Sequence, residues 1–497
     1  MRTINDVMRL LLRLACLVGL LVLSSVGCGE TADSNGGGGA GGLDLCEEVE
    51  CNDRNDCTED LCDSTHPRVC VFINEPEDTP CDGENVCDGE GKCVECNDDE
   101  HCEDDFNDCS SPYCDEKTCG VTAVADGTPC VGGMCQAAQC ALSGSVLPCT
   151  EQGIRNAIAA GGGPYTFDCD GPTRVTTEAE ITIFKDVVLD GRGDLTVSGN
   201  DDHRVFSVLP EVTAKLDGLT LTGGSATPND FESCGGLLNN GLLTLASCTV
   251  SGNTAAAGGG GLCNFGTLTL IDSAVAGNTA KACAGFFNNG TLTLTNSTVS
   301  GNAAAVGGGG LCNSGTLTLS NSAVWGNSAD HTGGIENSGT LTLSNCTVSG
   351  NVSEEGVGGI FNIGAATVTY STVSGNTAGG EGADIRNAGT LRMANTLIDG
   401  NCIGDDVSTS GGYNIESPDD TCRFDQVSDQ VNVSAEGLKL GTLADNGGPT
   451  MTHALLPGSV AVDVIPAAMC EVNEDQRSVA RPQGDACDVG AFELEEL

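Results

Sequence analysis

Basic residues are scarce in this chain. Twenty lysines and arginines stand against 70 aspartates and glutamates, a formal net charge of −50 over 497 residues. A surface this acidic repels phosphate backbones and anionic headgroups, which excludes nucleic acid as a partner and direct adsorption to an anionic membrane. Aromatics are few, with one tryptophan, four tyrosines and twelve phenylalanines. That argues against a globular enzyme built around a large aromatic core. With only five histidines, zinc sites of mixed cysteine and histidine ligands lose their second donor. The apolar run Leu14–Val26 has thirteen residues, short of the roughly twenty that span a bilayer.

What is abundant points outward from the cytoplasm. Thirty cysteines are too many for a reducing compartment unless most bind metal, so an exported protein is expected. Arg2, Arg9 and Arg13 precede the apolar run, giving the layout of a signal peptide over residues 1–27. The run closes on "LSSVGC", which resembles the lipobox of bacterial lipoproteins, with Ser25 where that family prefers leucine. The resemblance implies lipidation of Cys28 and attachment to a membrane through that lipid alone; without it the chain is secreted. Residues 28–45, "CGETADSNGGGGAGGLDL", read as a flexible glycine-rich linker.

Sixteen cysteines fall between Cys46 and Cys140, in two copies of eight running Cys46–Cys93 and Cys96–Cys140. Few apolar residues accompany them, so each copy must be held by disulfides, four apiece being the simplest arrangement. Pairing within a copy is open, since eight cysteines allow 105 connectivities. From Asp44 to Cys140 there are 27 acids and 4 bases. Clusters such as "NDDEHCEDDFNDC" raise Ca²⁺ as a ligand, but no loop matches an EF-hand, and solvated carboxylates are the simpler account. No metal site is expected.

Beyond Cys140 the composition changes. "CTEQGIRNAIAAGGG" carries Ile154, Ala157 and Ile158 at helical spacing and stops at glycines. Short alternating runs follow it, so the helix is expected to cover the open end of a β-solenoid, with Cys149 and Cys169 pinning it. Then a unit recurs. "N-x-G" places Asn239, Asn264, Asn288, Asn313, Asn337, Asn362 and Asn387 in register, and "GN" places Asn253, Asn278, Asn302, Asn327, Asn351, Asn376 and Asn401. A period near 25 with strand patterns and no helix pattern predicts a parallel β-helix, each triangular coil advancing about 4.8 Å. Seven units make a section on the order of 34 Å long.

Alternation sets direction. The leucines of "GTLTL" and the valine of "TVSGN" are expected to face the axis and the threonines to face out. The asparagines are expected at the bends, stacked as hydrogen-bonded ladders and tolerating left-handed backbone. The residues just before the first asparagine, Leu238, Cys263, Phe287, Cys312, Glu336, Phe361 and Arg386, are expected to form an outward row.

"GGLCN", "GGIEN" and "GGIFN" beside "VSGN" resemble the repeats of the polymorphic outer-membrane protein family, with valine replacing phenylalanine. That resemblance implies a right-handed parallel β-helix displayed as an adhesin. The family normally adds a transmembrane β-barrel, which no stretch up to Leu497 resembles. The segment Asp445–Glu493, with "DQRSVARPQGDACDVGAFE", resembles the C-terminal part of choice-of-anchor Q domain proteins. The expected organisation is therefore an all-β β-helix over 145–401 and an anchor-Q-like segment over 402–497, behind the cysteine repeats at 46–140.

Parallel β-helices also carry polysaccharide lyases and glycoside hydrolases, which need clustered carboxylates or a carboxylate set with a basic residue. Across Gly235–Asn401 the bases are Lys281, Arg386 and Arg392, with His331, and the acids are spread over different strands and turns. Only Glu336 and Arg386 share a row, two coils apart. Asp475, Arg477, Arg481 and Asp488 are denser, and a structural ion-pair cap is the expected role. Trp325 occupies an outward slot; with Phe287 and Phe361 it offers a contact for a sugar ring or a protein, against burial beneath a turn. Cys234 with Cys283, and Cys263 with Cys312, lie two coils apart, about 9.6 Å and beyond disulfide reach, leaving cross-turn bridges or free thiols. Cys402 with Cys422 and Cys470 with Cys487 are candidate local staples. The "RGD" at Arg192 is expected to be a strand–turn–strand element. The expected function is a non-catalytic exported lipoprotein, a β-helix scaffold for adhesion or display whose partner is a surface glycan or protein. The alternative is a carbohydrate-active enzyme on the same fold.

Overall fold

The computed structural model describes residues 144–495 apart from 227–233, 380–383 and 405–408, together with short segments between 58 and 142. Cys28, the signal, the linker and most of the cysteine repeats lie outside the described residues. Contacts divide the chain into Met1–Cys93 and Val94–Leu497, a boundary between the two eight-cysteine copies. Each copy holds the same pairing plan. An antiparallel hairpin (Thr58–Cys62 with Cys70–Asn74, and Ser110–Asp115 with Thr118–Ala123) precedes a three-stranded sheet. The duplication seen in the cysteine spacing is thus a duplication of structure.

The first helix, α1, spans Glu151–Ala160 and begins where Thr150 accepts a hydrogen bond from the Gly153 amide. It ends at Gly161, whose φ of 72° no β-carbon would favour. Its apolar stripe, Ile154, Ala157 and Ile158, is fully buried against the first coils. Asn156 donates to the Val131 carbonyl at 2.9 Å, and Leu142 packs on the same core, so the second cysteine copy joins the cap.

After the cap the chain winds as an all-β parallel solenoid. One ten-stranded sheet carries the "L-x-N" strands, from Ile181–Ile183 to Cys402–Ile403. The "TLTLS" and "TVS" strands form a second, 21-stranded sheet. A further seven-stranded sheet is built of two-residue strands such as Thr279–Ala280. That third sheet lies in the stretch expected to be only a variable turn, so a coil has four strands rather than three. Pairing continues past Asn401, with Ile415–Ser417 alongside Leu397–Asp399. Val187–Ser198 pairs with Thr213–Thr222 on both sides of Arg192, but residues 191–194 face Gly218 alone and Arg192 and Gly193 are left-handed, so the "RGD" stretch is a tight excursion between two paired halves of one long strand.

Inside, each coil buries apolar side chains at the same four positions. Leu262, Leu268, Leu270 and Val275 are at most 1% exposed, each worth roughly 1.5–3 kcal/mol of transfer from water. The corners divide the work between two residue types. Ladder asparagines are not left-handed. The left-handed positions belong to the glycine before the second asparagine (Gly252, Gly277, Gly301) and to a separate row, Asp272, Asn296, Asn321, Asn345, Tyr370 and Asn395, with φ between 47° and 54°. Tyr370 is the bulky exception in that row, and it is held by contacts with the C-terminal segment.

That segment leaves the solenoid axis. It contains a short helix, α2 (Ala435–Leu438), a hairpin of Leu440–Ala444 with Thr452–Leu455, and a small pair Ile465–Pro466 with Ala486–Cys487. It folds back along the left-handed corner and the valine side. Thr450 donates to the Asn321 carbonyl (3.1 Å), Asn345 to the Glu474 carbonyl (2.8 Å), and the Gly490 amide to the Asn395 carbonyl (3.0 Å). With Tyr370, whose hydroxyl donates to the Met469 carbonyl (3.2 Å), four successive coils are clasped in this way.

Candidate functional site

Two places gather chemistry-bearing side chains: the row beside the first asparagines, and the seam under the C-terminal segment. A third set, the asparagine ladders, is chemical in character but structural in use. In the first ladder each Nδ2 donates to the Oδ1 one coil on, from Asn239 to Asn387, at 2.7 or 2.8 Å. The second ladder runs the same way from Asn253, whose Oδ1 accepts from the Gly224 amide. The spacing predicts that it continues to Asn401, and it does not. Asp384 intervenes, accepting from both the backbone amide and Nδ2 of Asn376 (3.1 and 2.7 Å). Aligned amides point their donors at this carboxylate, and a group that only accepts ends such a chain without an orphan donor. Burial pushes the Asp384 carboxyl up to about 6, against the lowering effect of these donors.

The outward row is less open than alternation suggests. Leu238 and Cys263 are 5% and 1% exposed, and with Cys234 they form a small apolar cluster outside the axis. Phe265 and Phe287 pack on it, their rings 5.8 Å apart. The cause is a pair of cross-turn disulfides, Cys234–Cys263 and Cys283–Cys312, with Cα separations of 5.7 and 5.8 Å. Each joins a turn cysteine to the row cysteine of the next coil and straps the turn over the row. Comparing only cysteines at equal offsets could not find this diagonal pairing. Phe287 is therefore half-buried in a structural cluster. Phe361 is half-buried too, with the Arg386 guanidinium 5.6 Å over its ring.

Glu336 lies in this row between Cys312 and Phe361. Burial raises its carboxyl above the usual range, with His331 pulling the other way. The nearby Thr332 hydroxyl is buried without a partner among the described residues. Trp325 stands on the valine side, between Ser300 and Ser349, half-buried, with its indole nitrogen enclosed. It is not brought together with Phe287 or Phe361, which sit on another sheet.

Under the C-terminal segment the charges are locked. Arg477 donates to Asp475 (2.7 Å) and stacks 3.6 Å from the Phe492 centroid. Arg481 donates to Glu493 (3.2 Å) and to the carbonyls of Asp488 and Gly490 (both 2.7 Å). Glu493 also accepts from the Asp488 and Gln483 amides, while Asp488 accepts from those of Asp463 and Leu494. Burial pushes Glu493 upward, opposed by these donors and by Arg481. The Arg481 Nε is buried without a partner among the described residues, but every carboxylate here is engaged, and such paired buried charges hold a segment in one geometry rather than offering a free acid or base. His453 is likewise engaged. Nδ1 meets the Gly441 carbonyl at 2.7 Å and so carries the proton, leaving Nε2 to accept from Ser349 at 2.8 Å. Burial lowers its pKa.

In the second cysteine copy Cys130–Cys140 is a disulfide, and Cys114, Cys119 and Cys135 are bridged as well. Cys149–Cys169, Cys402–Cys422 and Cys470–Cys487 are disulfides. Cys248 and Cys346 are buried thiols, pushed by burial to about 11 and about 12. Both occupy a row that is otherwise mostly serine, where Ser273, Ser297, Ser322 and Ser371 accept from the preceding coil's amide. The repeat alignment contains this third row; only its hydrogen bonds show what it does. Glu493 and Asp384 gave no periodic signal at all.

No family model matches the chain, so neither the polymorphic outer-membrane nor the anchor-Q resemblance has one behind it. No curated protein matches either. Among solved structures the chain is similar to the crystal structure of pectate lyase Pel9A, with a TM-score of 0.44 and 16% identity, covering 68% of this chain and 90% of that one.

Proposed function

We propose that this protein is an exported, non-catalytic scaffold: a β-helical rod, tethered through lipidated Cys28 and carried on the acidic cysteine repeats, that works in adhesion or display at the bacterial surface. The observation that supports it most is where the charged side chains go. Those that the fold gathers, Asp475, Arg477, Arg481, Asp488 and Glu493, bond one another inside the C-terminal segment, and Arg481 also lies over the Tyr370 ring of the rod. On strands such as Thr291–Thr295 and Thr316–Ser320 the outward side chains are all hydroxyls. Disulfides through the rod and cap suit an oxidising compartment. No helix among the described residues is long and apolar enough to cross a membrane. The test is Cys28→Ala in cells. The account predicts loss of the lipid by mass spectrometry and release of the protein into the medium; an unmodified or differently cut mature N-terminus in the natural protein sinks the anchoring.

One observation favours the enzyme reading. Glu336, whose carboxyl burial pushes above the usual range while His331 opposes it, is shifted in the direction a general acid requires. It stands without a second carboxylate in its row, where Cys312 and Phe361 are its neighbours.

A further inference from the structure

The threonine side of the rod is chemically unlike the rest of the molecule. Its central column runs Thr244, Thr269, Thr293, Thr318, Thr342 and Thr367, paired coil to coil in unbroken register. Beside it, the first column places exposed threonine in four consecutive coils, Thr267 to Thr340. The leucines between them are buried and pin each strand from below. None of the six central hydroxyls has a protein partner among the described residues. From Leu242 to Thr369 these outward columns hold no acid, base or aromatic ring, on a chain whose net charge is −50.

The two spacings follow from the fold. Coils repeat at about 4.8 Å, and columns two residues apart lie about 6.6 Å from each other. Threonine is stiff at χ1, so hydroxyl and methyl positions recur with little rotamer spread. A flat, neutral, rigid grid of alternating hydroxyls and methyls has no handle for a charged ligand and no ring for a sugar to stack on. It is suited to a neutral lattice, and the coil repeat is close to the shorter oxygen repeat on the prism faces of hexagonal ice. Waters held by the hydroxyls and caged around the methyls would already sit near lattice positions, so little ordering remains to be done when the face meets a crystal.

We propose that the Thr267–Thr342 grid is an ice-binding face, and that frozen water is what this scaffold adheres to. The proposal rests on the scaffold reading, but its test is separate from it, because polysaccharide turnover would fail the scaffold without touching ice partition. The full mature protein is exposed to slowly growing ice, and its share in the ice and in the liquid is measured, together with crystal shape. Three chains are compared: the natural one, Thr293→Tyr/Thr318→Tyr in the grid, and Val352→Tyr, an exposed control in another sheet. Expected are enrichment in ice and faceted crystals for the natural chain and the control, with loss to the level of an excluded protein for the grid variant. Exclusion of the natural chain from ice overturns the proposal, as does equal partition of the grid variant when its melting curve is unchanged. A dimer in sedimentation that the grid variant alone dissolves also overturns it, assigning the face to self-association.

Discussion

In the regular coils Asn313 meets what every ladder amide meets, the same side chain one coil before and one coil after. In the C-terminal segment Arg481 meets Glu493, two carbonyls and the face of Tyr370, partners that no repeat supplies. The rod is stabilised by many equal, local contributions, each backed by its neighbours. The segment is stabilised by a few unequal ones drawn from distant parts of the chain. Repetition spreads the consequence of a change; a single network concentrates it.

The sharpest way to break that comparison is at Arg481. Arg481→Ala leaves buried Glu493 without its cation, which costs about 3–5 kcal/mol. The segment is expected to become protease-sensitive in urea titrations while the rod unfolds as before; a single shared transition with unchanged midpoint contradicts this. Asn313→Ala, inside a ladder, removes a ladder bond on each side and strips the buried Asn337 oxygen of its donor, and costs about 2–3 kcal/mol. The same change at Asn387, the ladder's last amide, costs less because only one ladder bond is lost. Equal losses at both sites, measured by denaturant midpoints, remove the argument for a cooperative ladder.

Asp384 gives a pH signature. Its folded pKa, about 6, lies above the 3.8 of an unperturbed aspartate, so the folded state holds the proton more tightly. The stability it adds is fully present below the unfolded value and is lost as pH rises through 6. In Asp384→Asn that dependence disappears. Whatever offset the substitution brings, the variant's stability relative to the natural chain should improve by about 2 kcal/mol between pH 4 and pH 7. A constant difference across that range refutes the assignment. The smallest effect belongs to Cys346→Ser, which puts into the thiol row the residue found in neighbouring coils. A change under about 1 kcal/mol in thermal melts is expected, and the natural thiol should stay unlabelled by iodoacetamide until the protein unfolds.

How much of this was legible follows the same division. Coil length, the leucine and valine axis, the outward threonines and the first ladder were readable because each position is written seven times, and a period reports its own geometry. The helical cap was readable from Ile154 and Ile158 with glycines behind. The Cys234–Cys263 bridge was not, because its two members hold different offsets and only the path of the turn brings them within reach. Asp384 was unreadable for a similar reason. It replaces Asn401 in the ladder from eight residues beyond Asn376, where the period gives no hint. Trp325 was expected in an outward slot and is half-buried beside strands that the C-terminal segment covers. The grouping of Arg481 with Glu493 was suggested by a motif, but its packing on Tyr370 required the segment's return along the rod.

The central claim is that this β-helix holds and presents rather than reacts. Incubating the full mature chain with a panel of neutral and acidic polysaccharides, with and without Ca²⁺, and measuring new reducing ends and unsaturated products tests it most directly. The account predicts no turnover by the natural protein and no difference from Glu336→Gln. Turnover that a single carboxylate substitution abolishes would contradict it.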